Sequence, residues 1–204
     1  MKPVDFHSDL QVLKSKVDTT PLKGGGANFK TNALVEASSS KLVYKPSLGV
    51  ALFCFVFFAV GLGVIFLGCS NIFGSNSSNA PEWFLIIFGL IFASAGSFMF
   101  YFFYKPRVFD KKSGYYYAAY TFNPRASNKT RKGHSVPLTS IMAIQIIGEL
   151  VRSDKGAYQS FELNLVLEDG TRKNVVDHGN LKSIISDAEM ISTFLDIPIW
   201  HAKS

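Results

Sequence analysis

Two long uncharged apolar runs, separated by a short polar stretch, constrain this chain more than any other feature. Leu48–Gly68 reads LGVALFCFVFFAVGLGVIFLG and Trp83–Tyr104 reads WFLIIFGLIFASAGSFMFYFFY. At about 1.5 Å of rise per residue each run covers roughly 32 Å as a helix, matching a hydrocarbon core of about 30 Å. The stretch between them, Cys69 to Glu82, is too short and too polar to fold by itself. An antiparallel helical hairpin that crosses a membrane is therefore predicted. The first run begins only at Leu48, has full spanning length and is followed by a second, which does not fit a secretory signal.

The net charge of +6 is informative through its distribution. Residues 1–47 carry seven Lys/Arg against four Asp/Glu, residues 105–204 carry fourteen against ten, and Glu82 is the one charge between the runs. Basic flanks on both sides predict an inner-membrane, multi-pass protein with both termini cytoplasmic. The excess charge is read as topology and attraction to anionic membrane lipids, with no nucleic-acid partner. The two cysteines, Cys54 and Cys69, lie within or beside the first run and support neither a disulfide framework nor a zinc site.

Around the hairpin the chain divides into four parts. Residues 1–27 form a flexible or partly helical tail, with Phe6, Leu10, Leu13 and Val17 at helical spacing and Gly24-Gly25-Gly26 as a hinge or loop. Residues 28–47 read as two short strands about a turn at Ser38-Ser39-Ser40. Residues 48–104 are the hairpin, its helices at 48–68 and 83–104. Residues 105–204 form a cytoplasmic β-rich domain with a C-terminal helix over about 180–195. Small residues at four-residue spacing, Ala59 and Gly63 on the first helix and Gly89, Ala93 and Ser97 on the second, are predicted to pack against one another. The same stripes would also suit a partner helix or a homo-oligomer.

Past Pro106 the periodicity changes from helical to alternating. Val108-Phe109 and Tyr115–Phe122 flank the turn Asp110–Gly114, and the Ile-rich Ser140–Val151 reads as a central strand. Phe161, Leu163, Leu165 and Leu167 alternate with Glu162, Asn164, Val166 and Glu168 before a turn at Asp169-Gly170, giving one apolar and one mostly polar face. Asn180 caps a helix whose stripe, Leu181, Ile184, Ile185, Ala188, Ile191 and Leu195, covers the apolar face, and Pro198 stops it.

Four segments, Lys41–Pro46, Phe109–Gly114, Val136–Ile141 and Leu165–Gly170, in this order around the apolar pair, resemble bacterial two-helix membrane proteins that carry a pleckstrin-homology-like (PH-like) domain. The resemblance implies an α+β membrane protein: a transmembrane hairpin and a small antiparallel β domain closed by a C-terminal helix. It brings no catalytic residues and implies binding or scaffolding at the inner membrane.

Asp177-His178 is the candidate for chemistry, and a membrane-bound hydrolase using this pair is the alternative function. Neighbours on a strand point to opposite faces, so a base with its orienting partner requires a turn there. Otherwise Asp177 serves backbone donors and His178 closes the loop. The four histidines have no ligand spacing, so neither a metal site nor a cofactor is expected. Arg125, Lys129, Arg131 and Lys132 in a polar loop, with the tyrosines beginning at Tyr115 and Tyr117, are the candidates for contact with lipid or a partner. The function expected is thus non-enzymatic: an anchored domain that binds a protein partner or the anionic surface in a scaffold or immunity-type role. An accessory subunit of a larger membrane complex is a further alternative.

Overall fold

The computed structural model describes residues 6–73, 81–122, 135–153 and 156–201. They form two compact units, one from residues 46–105 and one from the segments on either side. The first unit is a helix pair, α2 (Leu48–Phe73) and α3 (Glu82–Phe103). Both are long and apolar enough to cross a membrane, and only 17% of the most apolar window of each is buried. Close approaches pair Phe58 with Gly96, Gly61 with Ala93 and Gly68 with Ile86, so the helices run antiparallel.

Their contact line corrects the expected one. Gly89 and Ala93 are buried as anticipated, but Ala59, Gly63 and Ser97 are exposed, and Ser97 donates to the Ala93 carbonyl of its own helix. The buried positions are Val50, Cys54, Gly61 and Gly68 on α2 and Gly89, Ala93 and Gly96 on α3. A Cβ on Gly61 would collide with the Ala93 backbone, whereas one on Gly63 would meet nothing. From Cys54 onward the spacing on α2 is seven residues rather than four, two turns of helix, which keeps one narrow seam toward α3.

The second unit is the β domain. Its five-stranded sheet has the order β1 (Asn32–Ser38), β2 (Lys41–Pro46), β3 (Arg107–Asp110), β4 (Tyr115–Ala118) and β5 (Ser135–Pro137). β2 and β3 are antiparallel neighbours, Tyr44 opposite Arg107 and Lys41 opposite Asp110, with an ion pair of 3.5 Å at the latter. The apolar helices therefore occupy the position of a hairpin turn within a continuous β meander. Residues 105–204 do not make the domain alone, because β1 and β2 supply two strands of this sheet. β4 is also shorter than the expected Tyr115–Phe122.

A short 3-10 turn, Leu138–Ser140, carries the chain into a four-stranded sheet of β6 (Ile141–Ser153), β7 (Gly156–Leu167), β8 (Arg172–His178) and β9 (Ile199–His201), ordered β8-β7-β6-β9. Gly170, at φ +80°, makes the β7–β8 turn as its Asp-Gly sequence predicts. β9 joins parallel to β6, Ile144 opposite Ile199, which the sequence did not signal. α4 (Leu181–Leu195) is capped by Asn180, whose side chain accepts from the Ser183 amide at 2.9 Å. It ends where Asp196 turns left-handed at φ 58°, two residues before Pro198.

One apolar core joins the layers. Leu42, Phe109 and Tyr116 of the first sheet meet Ile144, Leu163 and Val176 of the second, with Ile184, Ala188 and Ile191 of α4. The other face of the four-stranded sheet is covered too. There α1 (Phe6–Lys16) and the residue that follows it seat Leu10 and Val17 on Ala143, Val166 and Trp200. Val166, the apolar residue inside an otherwise polar alternation, is thereby accounted for.

Candidate functional site

Asp177 and His178 are the natural starting point because they are adjacent at the end of β8. The β7–β8 register sets Asp177 opposite Glu162 and His178 opposite Phe161, on opposite faces of the sheet. His178 is fully buried on the core side, where its Nδ1 accepts from the Asn180 amide at 3.2 Å and its Nε2 has no hydrogen-bond partner. Burial, with Lys30 adding to it, lowers its pKa to about 4, so the ring is neutral. Asp177 points the other way and accepts from Ser160 Oγ at 2.7 Å. The two side chains are not brought together, and His178 instead shapes the turn into α4.

On the Asp177 side lies a polar row that is buried in the fold. Gln145, Ser160, Glu162 and Asn164 are each at most 3% exposed. Residues 18–27 lie across them as a strap. Glu162 accepts from the Leu22 and Lys23 amides at 2.9 and 2.6 Å and from Asn164 Nδ2 at 2.9 Å. Glu149 accepts from the Gly25 amide, and Tyr158 donates to the Gly26 carbonyl. Gln145 and Arg172 donate to the Asp18 and Thr20 carbonyls, and Arg172 also pairs with Asp18 at 3.2 Å. The Gly24–Gly26 segment is thus fastened rather than hinged. A Cβ at Gly26 would strike Asp177 and Ser160, which explains glycine there. Chemically, the row satisfies backbone groups on both edges of the strap.

A second internal polar group sits between α4 and the first sheet. Tyr44 and Asp187 are buried and interact electrostatically, yet the Tyr44 hydroxyl and Asp187 Oδ2 lack a hydrogen bond. Nearby, Arg107 donates to buried Asn32 at 3.1 Å. Burial pushes the Asp187 carboxyl up to about 6 against the pull of Tyr44 and Lys30, and raises Tyr44 well above the usual phenol. Asp187 was hidden in the sequence by the apolar stripe that surrounds it on α4.

Two surface features remain. On the outer face of the five-stranded sheet, Tyr115 and Tyr117 flank the buried Tyr116 and lean on Phe122. The Tyr117 and Phe122 rings stack at 4.2 Å and 6°. The basic-loop residues Arg125, Lys129, Arg131 and Lys132 lie outside the described residues. Along α4 run two open recesses of about 540 and 400 Å³. They share Lys111, Thr193 and Phe194, with the Lys111 ammonium 4.4 Å from the Phe194 ring centre. Among the described residues no three His, Cys, Asp or Glu side chains gather as a metal site.

Comparison with protein-family models, with curated proteins and with solved structures gave no match. The site must be read from its own chemistry.

Proposed function

We propose that this chain is a membrane-anchored, non-enzymatic binding protein: α2 and α3 cross the inner membrane, and the β domain works on the cytoplasmic side as a PH-like module. The observation that carries this reading is the outward face of the helix pair. Leu48 is 86% exposed, Phe66 71% and Trp83 62%, on helices without an internal charge. A soluble core helix would bury such residues, and water is a poor solvent for an apolar surface of this extent.

The layout of the β domain supports the finer reading. A five-stranded meander, then a three-stranded one, then a helix on the shared core follow the order expected of a PH-like fold, with the anchor placed between β2 and β3. The aromatic face of Tyr115, Tyr117 and Phe122 leads into the sequence that holds Arg125 to Lys132, a composition suited to an anionic lipid surface or an acidic protein partner. A scaffold or immunity-type role fits such a module.

Two measurements test this. The full-length protein should stay with membranes after alkaline carbonate washing, and release would overturn the anchor. A photo-crosslinker at Tyr117 should form lipid or protein adducts in intact membranes. The binding face is wrong if Tyr117 gives no more adduct than the same crosslinker at the buried Tyr116.

A further inference from the structure

Ser160 has one hydroxyl hydrogen and two acceptors. Its Oγ stands 2.7 Å from Asp177 Oδ1 and 3.3 Å from the carbonyl oxygen of Ala27, the last residue of the strap. A serine hydroxyl donates once and accepts through its lone pairs. With Asp177 ionised, the shorter, charge-assisted bond takes the hydrogen and the Ala27 carbonyl loses its donor. With Asp177 protonated, the carboxyl O–H donates to Ser160 Oγ and the serine hydrogen turns to Ala27. Both states use the same heavy-atom positions and differ by one proton.

We propose that Asp177 and Ser160 form a proton-operated latch, which fastens the Ala27 end of the strap when Asp177 is protonated and slackens it when Asp177 is ionised. The groups that face Asp177 are Glu149 from β6, Ser160 and Glu162 from β7, and Lys23 from the strap. The two glutamates favour proton uptake and Lys23 opposes it. Burial, the largest influence, raises the Asp177 carboxyl from its ordinary value and so favours the fastened state. The other end of the strap is held independently, by Glu162 on the Leu22 and Lys23 amides and by Arg172 on Asp18 and Thr20. Only the Ala27 end is switched, at the point where Ala27 bridges in parallel to His178 at the edge of β8.

Hydrogen exchange on the full-length protein in micelles reads the latch directly. Protection of the segment from Gly25 to Asn28, corrected for intrinsic rates and followed downward from pH 8, should rise roughly five-fold as the Asp177 carboxyl takes up its proton, the effect of one neutral hydrogen bond. Asp177→Asn, which has no proton to take up, should hold one value throughout. Ser160→Ala should hold the low value. Wild-type protection that stays level while the Asp177 carboxyl titrates, or a wild-type pH dependence in Asp177→Asn, overturns the proposal. Should the variants fail to fold, carbonyl chemical shifts in the wild-type chain decide: Ala27 should titrate together with the Asp177 carboxyl, and an Ala27 shift that ignores it overturns the latch.

Discussion

In the helix pair the buried residues, apart from Val50, are small, Cys54, Gly61 and Gly68 against Gly89, Ala93 and Gly96, and most large apolar side chains face outward. In the β domain the arrangement is reversed, with Phe109, Tyr116, Ile144 and Leu163 inside. The β domain gains stability from apolar area removed from water, about 25 cal/mol per Å². The helix pair cannot rely on that, because so little of it is buried; close backbone contact across glycine takes its place. A further contrast is polar: the β domain buries Glu162, Asn164, His178 and Asp187, each answerable to a partner or to its own protonation state. Among the described residues the helix pair buries no side chain of that kind.

The contrast yields three tests, given from the largest effect to the smallest. Gly61→Leu should force α2 and α3 apart at a cost of about 3 kcal/mol, while Gly63→Leu should be near neutral. Thermal unfolding in detergent, followed by proximity of labels on the two helices, distinguishes them. Equal effects would mean that the seam is drawn wrongly. Glu162→Ala should cost roughly 2 kcal/mol by leaving the Leu22 and Lys23 amides buried without an acceptor, and Glu162→Gln should recover only part of it, since its one amide oxygen replaces two accepting carboxylate oxygens. Protease sensitivity of the strap is the measurement, and an unchanged strap in Glu162→Ala would show that the carboxylate does not hold it.

The third test concerns Asp187, whose folded-state pKa of about 6 lies above the ordinary carboxylate value of 3.8. For a carboxyl raised on folding, the unfolded state ionises more readily. Its favourable contribution is complete below the unfolded value and is lost as pH rises through about 6. Asp187→Asn should therefore stabilise the β domain at pH 8, on the order of 1–2 kcal/mol, and do little at about pH 4. His178 acts in the opposite direction. Its pKa is held near 4, so folding loses stability as pH falls from about 6.5 toward 4. A wild-type melting temperature that is flat from pH 4 to 8, unaltered by Asp187→Asn, would argue against both buried groups.

Much of the layout was legible because it rests on local periodicity. The apolar runs, the Asp169-Gly170 turn, the Asn180 cap and the two strands about Ser39-Ser40 all follow from spacing and turn chemistry within a few residues. The burial of the polar row was not legible, for an equally physical reason. Alternation shows that Glu162 and Asn164 share a face, but not what covers that face, and the covering strap lies about 140 residues away in sequence. Val166 within the polar alternation and Phe6, Leu10, Leu13 and Val17 on the tail were the available signals, since an isolated apolar residue on a polar face invites a partner. The tyrosines were legible as alternating, whereas the basic loop beyond them lies outside the described residues.

Two apolar helices of spanning length, an antiparallel β region after them and a capped, amphipathic final helix are written locally in the chain, because each depends on near neighbours in sequence. Folding in three dimensions was needed to reveal that β2 and β3 pair across the helical insertion, that Gly61 rather than Gly63 meets α3, that Asp177 and His178 face apart, and that the N-terminal segment closes the polar face of the four-stranded sheet. These depend on which distant surfaces meet, and pairing energies between segments far apart in the chain leave no periodic trace in either one.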